Sequence, residues 1–438
     1  MNTFKKTFIS DFLAGLTVSF AALSLGAAFG VMSGRGAFAG MIAAAVIPII
    51  TSLFGGTRIQ ASGPTAPMTS VTALIVAYGY DHFAGDRVLA EQFITLVLLL
   101  SSVLIILMGI FRLGRFIMMV PQVVVLGFMN GIAILIFKDQ IQKILGLGDK
   151  TPLEGDFNTN IIIAFGVLLS IYLIPFLLKK LNVSDNIRRL LPSIFLTIVL
   201  FTIITSSLSL EIEHVKLGEG ISSFGEFTSM LYDFLPTDSH LFSWEVLSHA
   251  LPLALQLCLL AYLDSLLTSL VIDKMTREQT KHDKELIAQG LANGLAGLLQ
   301  GIPGAQATIR SVLLVKEGAK TRLAGVLIGV FALLGLLIFN NLISMICSAV
   351  FVGVLFKAGL DVLDRDFPKA YWKYKWHTNK NRNIQLGLIL LTTIITVVID
   401  LNVAVFVGTV LFYLGRKYMK ITDAESDFTE VESEDLAG

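Results

Sequence analysis

The stretch Gln300–Ser311 reads QGIPGAQATIRS and lies between two strongly apolar regions of the chain. Gly301, Pro303 and Gly304 do not continue a helix comfortably. The residues 305–315 can be helical, but they are too few to cross a bilayer, which takes about 20 residues. A broken backbone at membrane depth is tolerated only where it is buried in protein or lines a cavity.

A second stretch, Ile59–Thr69, has the same character: it reads IQASGPTAPMT and precedes a short apolar run that ends at Tyr78. Two interrupted segments in corresponding positions of two halves point to a transporter site built from half-helices. We therefore expect residues 64–79 and 305–315 to form half-helices, each preceded by a short extended stretch.

The composition predicts an all-helical, polytopic membrane protein. The chain has 438 residues, of which 54% are hydrophobic and only 15% are charged, and its mean hydropathy is +0.76. Soluble domains carry roughly 25% charged residues. Basic and acidic residues are equal at 33 each, so net charge indicates no nucleic acid or other charged partner.

Two cysteines, Cys258 and Cys347, lie in apolar runs and have no metal-ligand spacing. The sequence contains no nucleotide-binding loop, catalytic triad or metal cluster. We therefore expect no enzymatic activity and no organic cofactor. A membrane anchor without transport activity is disfavoured, since it would not need two broken helices.

Seven predicted segments precede the polar stretch 208–247 and seven follow it. An odd number per half inverts the second half relative to the first, which is typical of an inverted repeat. We expect a first repeat over 1–207, an extracytoplasmic linker over 208–247, a second repeat over 248–418 and a short acidic cytoplasmic tail over 419–438. The fourteen predicted segments are 11–33, 37–54, 64–79, 92–110, 117–137, 160–178, 190–207, 248–272, 286–300, 305–315, 323–338, 340–356, 384–400 and 402–418.

The distribution of basic residues indicates the orientation. With the N-terminus in the cytoplasm, 27 of the 33 lysines and arginines fall on the cytoplasmic side, as the positive-inside rule requires. Arg310 is the one doubtful member, since it lies within a short segment. The prediction is a multi-pass protein of the inner (plasma) membrane with both termini in the cytoplasm.

The candidate site begins with the two half-helices. Each N-terminus presents unpaired backbone N–H groups and is equivalent to roughly half a positive charge. Two such ends that face each other form an anion site. Thr65 and Thr308 can add hydroxyl donors, and Gln306 can reach the anion.

Asp264 lies in the middle of the apolar run LCLLAYLDSLLTSLVID, where a carboxylate is costly and usually functional. Thr268 lies four residues further on, on the same helix face. A carboxylate with hydroxyl and carbonyl oxygens suits Na⁺ or a proton. Na⁺ is favoured, because the carbonyls of residues 304–308 come close if the two halves fold as expected. A cation there would neutralise Asp264 and leave the neighbouring site attractive to an anion.

The sequence resembles the SulP family of anion transporters, and within that family it most resembles the sodium-dependent bicarbonate transporters of the cyanobacterial type. The resemblance covers essentially the whole membrane region and implies fourteen segments in a core and a gate domain that move like an elevator. The segments that carry it are DFLAGLTVSFAALSLGAAFGVMSG (11–34), LFGGTRIQASGPTAPMT (53–69), VPQVVVLGFMNGIAILI (120–136), YLDSLLTSLVID (262–273) and GLLQGIPGAQATIR (297–310).

The resemblance also assigns residues. It implies that Asp264, Thr268 and Thr308, with backbone groups around Gly304, hold Na⁺. It implies that a cradle for bicarbonate is formed by Thr65, Ala66, Ala307 and Thr308.

The sequence departs from the family pattern at three places. Ser24 stands where the family has a proline, and Gln306 stands where it has a small residue, which bears on the identity of the anion. Only about 20 residues follow Tyr418, so the cytoplasmic STAS domain of many members is expected to be lacking. Whether the chain forms a homodimer stays open.

These observations predict a secondary active transporter that moves bicarbonate by Na⁺ symport. The alternatives are H⁺-coupled or uncoupled transport of sulfate or a dicarboxylate in the same fold, or a passive anion channel. The first span has no acidic residue at its middle, which argues against a proton-coupled dicarboxylate carrier.

Overall fold

The protein is mostly helical in its computed structural model, so the predicted helical class is confirmed. Among the residues that the structure describes, seven helices are long and apolar enough to cross a membrane, and two shorter apolar helices cover Ser193–Ser207 and Arg322–Leu337. The predicted membrane class is therefore confirmed, while the count of fourteen segments stays a prediction. The structure describes residues 2–147, 152–181, 193–208, 210, 212–214, 232–343, 345–373, 379–399 and 401–423.

The chain divides into two compact units. Unit 1 comprises residues 1–115 and 143–355, and unit 2 comprises residues 116–142 and 356–438. The elements of unit 1 are α1 (Asn2–Met32), α2 (Gly36–Phe54), β1 (Ser62–Gly63), α3 (Ala66–His82), α4 (Arg87–Ile110), α6 (Phe157–Lys180), α7 (Ser193–Ser207), α8 (Trp244–Thr276), α9 (His282–Leu298), β2 (Ala305–Gln306), α10 (Thr308–Lys316), α11 (Arg322–Ile343) and most of α12 (Ser348–Val362).

Unit 2 contains most of α5 (Gln122–Leu145), together with α13 (Asp366–Lys373), α14 (Lys380–Val398) and α15 (Leu401–Met419). Its core includes Val124, Phe367, Leu388 and Phe412. The helix α13 was not predicted from the sequence, because only one face of this eight-residue helix is apolar and it forms no continuous apolar run.

Several predicted regions lie partly outside the described residues, among them the segments 190–207, 340–356 and 384–400, whose residues 190–192, 344 and 400 are not described. In the linker 208–247, residues 215–231 are not among them, and a short 3₁₀ helix covers Ser239–Phe242. Of the predicted acidic tail, residues 424–438 lie outside them as well.

Small residues allow the helices of unit 1 to approach closely. A Cβ atom on Gly30 of α1 would lie 2.8 Å from the backbone nitrogen of Gly40 on α2. A Cβ atom on Gly290 of α9 would lie 2.8 Å from the carbonyl oxygen of Ser102 on α4. These glycines therefore allow close helix packing.

The two interrupted stretches meet inside unit 1. β1 and β2 pair antiparallel, with Ser62 opposite Gln306 and Gly63 opposite Ala305. α3 has 17 residues and α10 has only 9, so α10 is too short to cross a bilayer. We call the two strands and the helix N-termini that follow them the crossing.

Candidate functional site

The crossing depends on backbone contact that only glycine permits. A Cβ atom on Gly304 would lie 2.8 Å from the backbone nitrogen of Pro64, and closer still to the carbonyl group of Gly63. Gly63 itself has φ +149, and a Cβ atom there would lie 3.0 Å from Nη1 of Arg310. The glycines that interrupt the helices therefore also bring the two strands together.

Each strand leads directly into a helix whose first turn has no side-chain cap. Thr65 precedes α3 and Ala307 precedes α10, and both have extended backbone. The first amides of a helix have no intrahelical acceptor. The hydroxyl of Thr65 is buried beside the carboxyl group of Asp264, without a hydrogen bond of good geometry to it. Ala66 is buried at the first position of α3. This first turn therefore offers donors to an anion.

One face of α8 packs on the crossing. Thr268 Oγ1 lies 2.6 Å from Thr308 Oγ1, the first residue of α10. The backbone nitrogen of Gln306 donates to Ser265 Oγ at 3.1 Å. Asp264 stands one turn before Thr268, and its Oδ2 is buried with no hydrogen-bond partner. The structure thus brings together the hydroxyls of two predicted cation ligands, Thr268 and Thr308, and places the third, Asp264, one turn away on the same helix.

Gly304 is held by two amide side chains from α9. Its carbonyl oxygen accepts from Gln289 Nε2 and from Asn293 Nδ2, each at 2.9 Å, and its nitrogen donates to Asn293 Oδ1 at 3.0 Å. A carbonyl oxygen has two lone pairs. Both are used, so a cation could bind this oxygen only if one amide moved away. Gln289 was not predicted, although the polar pair at i and i+4 in an apolar helix is a signal for it.

Two other predicted binding residues have competing contacts. The amide of Ala307 donates to the carbonyl oxygen of Ala61 at 3.2 Å, which leaves no proton of this amide for an anion. Gln306 is fully buried, and its Oε1 lies 3.4 Å from the hydroxyl of Thr57. The side-chain nitrogen of Gln306 has no partner and remains a donor for a ligand.

Arg310 also lies in the candidate site, although it was not predicted there from the sequence. It is 2% exposed, and its Nη2 donates to the carbonyl oxygen of Pro64 at 2.8 Å. Its Nη1 is buried without a partner, and its charge interacts with that of Asp264. One feature of the sequence could have indicated this position: Arg310 is the one basic residue that lies inside a short predicted segment. The guanidinium adds a full positive charge beside the two helix N-termini.

A buried ion pair supports the chain that leads into β2. Arg35 Nη2 lies 2.7 Å from Glu91 Oε2 and 2.5 Å from Gln300 Oε1, and Arg35 Nη1 donates to the Gly301 carbonyl at 3.1 Å. The hydroxyl of Tyr80 donates to the other oxygen of Glu91. Arg35 lies between α1 and α2, yet its side chain is only 4% exposed.

A second buried carboxylate supports the chain that leads into β1. Glu285 is fully buried, and its Oε2 accepts from the Thr57 nitrogen at 2.9 Å and from Gln60 Nε2 at 3.2 Å. Gln60 Nε2 also donates to the Thr51 carbonyl at 2.8 Å. Both approaches to the crossing are therefore held by buried polar side chains, which fix its geometry.

The donor chemistry of the crossing fits a small anion beside a small cation. Oxygen ligands from a carboxylate and two hydroxyls suit a hard cation. Helix N-termini, an unpaired hydroxyl and an unpaired guanidinium nitrogen suit an anion. Among the described residues, no cluster of three histidine, cysteine or acidic side chains could hold a transition metal.

The apolar helices and the polar site buried among them define a multi-pass membrane transporter. The family model described as the sulfate permease family matches residues 8–380. The chain therefore belongs to the sulfate permease family, as the resemblance in the sequence indicated. Because the members of this family are transporters, the prediction that the chain is not an enzyme is confirmed.

Several relatives match over most of the chain. The bicarbonate transporter BicA of Picosynechococcus sp. is 32% identical over 92% of this chain and 69% of its own length. YvdB of Bacillus subtilis, which carries a provisional sulfate-transporter name, is 28% identical over 93% of this chain and 73% of its own length.

Two solved structures share the fold. The transmembrane domain of a cyanobacterial BicA superposes with a TM-score of 0.75 at 27% identity, covering 91% of this chain and 97% of that one. SLC26A9 superposes with a TM-score of 0.72 at 16% identity, covering 94% of this chain and 65% of that one. At 16% identity the second likeness concerns the fold alone.

Proposed function

We propose that the protein is a secondary active transporter that moves bicarbonate together with Na⁺. The observation that carries the proposal is the buried, unpartnered oxygen of Asp264 on the helix face that also carries the Thr268–Thr308 hydroxyl pair. A carboxylate buried inside a membrane protein is costly, and the nearby charge of Arg310 leaves one oxygen of Asp264 without a hydrogen bond. A cation bound there would remove that cost. The relatives named as bicarbonate transporters support the choice of anion.

The proposed anion position lies at the N-termini of α3 and α10. The Thr65 hydroxyl, the amide of Ala66 and the side-chain nitrogen of Gln306 are the donors available in this conformation. Arg310 contributes a positive charge that was not assigned to the site from the sequence. Ala307 and Thr308 line this position rather than supply donors to it. The Ala307 amide is already bonded to Ala61, and the Thr308 hydroxyl is bonded to Thr268.

The proposed cation ligands are Asp264, Thr268 and Thr308. Gly304 stays a predicted ligand on one condition, which is that Gln289 or Asn293 releases its carbonyl oxygen when the cation binds. Without such a change, Gly304 acts by keeping the strands close together.

Electrostatics supply the coupling. Two unit charges 4 Å apart interact by about 4 kcal/mol at an effective dielectric constant of 20. An anion bound close to an ionised Asp264 would meet a repulsion of this order, which Arg310 offsets in part. Since about 1.4 kcal/mol corresponds to a factor of ten, a cation beside Asp264 can raise anion affinity by up to about a thousandfold. The anion and the cation would then bind together.

The proposal includes the arrangement expected from the sequence. It has fourteen segments in two inverted repeats, an elevator-type movement, and both termini on the cytoplasmic side of the inner (plasma) membrane. The 27 basic residues on one side of that topology support the orientation.

The deciding experiment measures uptake of labelled bicarbonate into proteoliposomes at fixed pH, with and without an inward Na⁺ gradient. We expect Na⁺-dependent uptake that Asp264→Asn abolishes. Thr268→Val should raise the Na⁺ concentration for half-maximal uptake at least tenfold, because it removes one oxygen ligand. Uptake that is equally fast without Na⁺ would refute the coupling.

A matched control lies on the same helix. Thr276 is two turns beyond Thr268, and its hydroxyl donates to the carbonyl oxygen of Ile272 in its own helix at 2.8 Å. Thr276→Val therefore removes a threonine hydroxyl, as Thr268→Val does, but at a position away from the crossing. The Na⁺ dependence of uptake by this variant should equal that of the wild type. Glu245→Gln, at the exposed start of α8, controls for loss of a carboxylate.

The second candidate is transport of sulfate or a dicarboxylate in the same fold, coupled to H⁺ or uncoupled. The unpartnered guanidinium nitrogen of Arg310 favours it, because a second positive donor suits a divalent oxyanion. Labelled sulfate in the same vesicles, with a pH gradient in place of Na⁺, separates the two candidates. A passive anion channel would give currents that persist in Asp264→Asn.

A further inference from the structure

A large apolar groove lies in unit 1, away from the crossing. Its volume is about 700 Å³, and its walls are formed mainly by α1, α7 and α11. Phe20 and Phe195 face each other across one part of it, with ring centroids 4.7 Å apart. Protein interiors are close-packed and contain few voids larger than a water molecule. A space of this size needs an occupant or an opening.

The lining has no charge and almost no available polar group. None of the described residues that line the groove is charged. Ser19, Ser24 and Thr202 donate their hydroxyls to the carbonyl oxygens of their own helices at 2.7–2.8 Å. The groove therefore offers little to an inorganic ion and suits a hydrocarbon chain.

The groove is open along a rim of apolar side chains. Val199 and Ile203 on α7 are 39% and 59% exposed, and Leu334 on α11 is 46% exposed. In a membrane transporter, an apolar rim on apolar helices faces lipid rather than water. The molecule that can enter the groove from its surroundings is therefore a lipid, through its acyl chain.

The two ends of the groove differ in polarity. Ser206 and Ser207 line the end where α7 finishes, and the side chains there are exposed. Phe195 and Phe331 line the apolar part further along the helices. We propose that the groove binds one phospholipid, with an acyl chain between α1, α7 and α11 and the glycerol ester region beside the two serines.

The opposite faces of α1 and α11 support the crossing. Val18 of α1 and Ile328 of α11 belong to one apolar cluster with Ile59, Ala61 and Leu314, which flank the two strands and α10. A bound acyl chain fills the other side of the same two helices. A ligand that binds only the folded state raises its stability. Phospholipid should therefore raise the midpoint of thermal unfolding of the delipidated protein.

Lipid binding can be measured with a tryptophan reporter at the rim. The native tryptophans 244, 372 and 376 are replaced by phenylalanine, and Leu334→Trp is introduced. Leu291→Trp serves as the control, because Leu291 on α9 is similarly exposed (49%) but does not line the groove. Brominated phosphatidylglycerol, which quenches tryptophan fluorescence on contact, is titrated into the detergent-solubilised protein.

We expect saturable quenching of the Leu334→Trp reporter at about one lipid per protein, reversed by unlabelled phosphatidylglycerol. The Leu291→Trp control should show only weak quenching proportional to the lipid added. Ala27→Phe and Ser24→Leu each add bulk to the lining and should remove the saturable part. Equal, unsaturable quenching of both reporters, or saturable quenching that survives in a folded groove-filling variant, would overturn the proposal. The outcome of this quenching experiment does not depend on the assignment of Na⁺ and bicarbonate as the transported ions.

Discussion

Replacement of Gly304 by alanine tests whether the contact between the two strands creates the site. The added Cβ atom would lie 2.8 Å from the nitrogen of Pro64 and closer to the Gly63 carbonyl. Nonbonded heavy atoms are most stable about 3.5–4.0 Å apart. The obstacle is backbone, which cannot rotate away as a side chain can. Overpacking costs about 1–3 kcal/mol, and this variant should lie at the upper end or beyond.

The consequence for function follows from what the strands hold. If they separate, the bond from Ala307 to Ala61 and the bond from Gln306 to Ser265 are lost together. The first turns of α3 and α10 then no longer face the same site. We expect a lower midpoint of thermal unfolding in detergent and loss of uptake in proteoliposomes.

Gly387→Ala is the matched control. Gly387 lies within α14, and a Cβ atom there would meet nothing within 4 Å. Alanine is more favourable than glycine inside a helix by about 0.5–1 kcal/mol. This variant should therefore be as stable as the wild type or more so, with normal uptake. Wild-type stability and uptake in Gly304→Ala would refute the reasoning about the crossing.

Three further predictions concern carboxylates that accept hydrogen bonds or pair with a cation, and they use the thermal midpoint as their measure. Glu91→Ala leaves Arg35 buried without its ion-pair partner and should cost about 3–5 kcal/mol, whereas adding Arg35→Met should recover part of that loss; a double variant as unstable as the sum would contradict this. Asp11→Ala removes the acceptor for the amides that precede α11 and should cost about 0.5–2 kcal/mol. Asp423→Ala removes the cap on the Gln122 amide and should cost about 1 kcal/mol, and a larger effect on Na⁺-dependent uptake than on stability would count against a capping role.

The interruptions of the helices were predictable because they depend on local chemistry. Pro64, Pro303 and the neighbouring glycines disfavour helix wherever the chain runs. The structure has extended backbone at both places, and helices resume at Ala66 and Thr308. The helix α13 was not predicted, because a short one-sided apolar pattern gives no continuous apolar run.

The partners of the buried charges could not be predicted from spacing. Arg35 and Glu91 are 56 residues apart in the chain, and Arg310 bonds to Pro64 across 246 residues. Charge counting assigns a basic residue to a side of the membrane, but it does not tell whether the side chain is solvated or buried. Arg35 and Arg310 were therefore not predicted as structural or site residues, because their roles depend on contacts between distant segments.

The sequence by itself determined that this chain is a membrane protein, where its helices break, and that Asp264 and Thr268 share one helix face. Hydropathy, proline geometry and the helical period act within a few residues, so they can be read in order along the chain. Only the tertiary structure decided which atoms meet. It saturates the Gly304 carbonyl with Gln289 and Asn293, and it leaves Asp264 with an unpartnered oxygen. Those outcomes depend on how distant helices pack, and packing is a property of the whole fold.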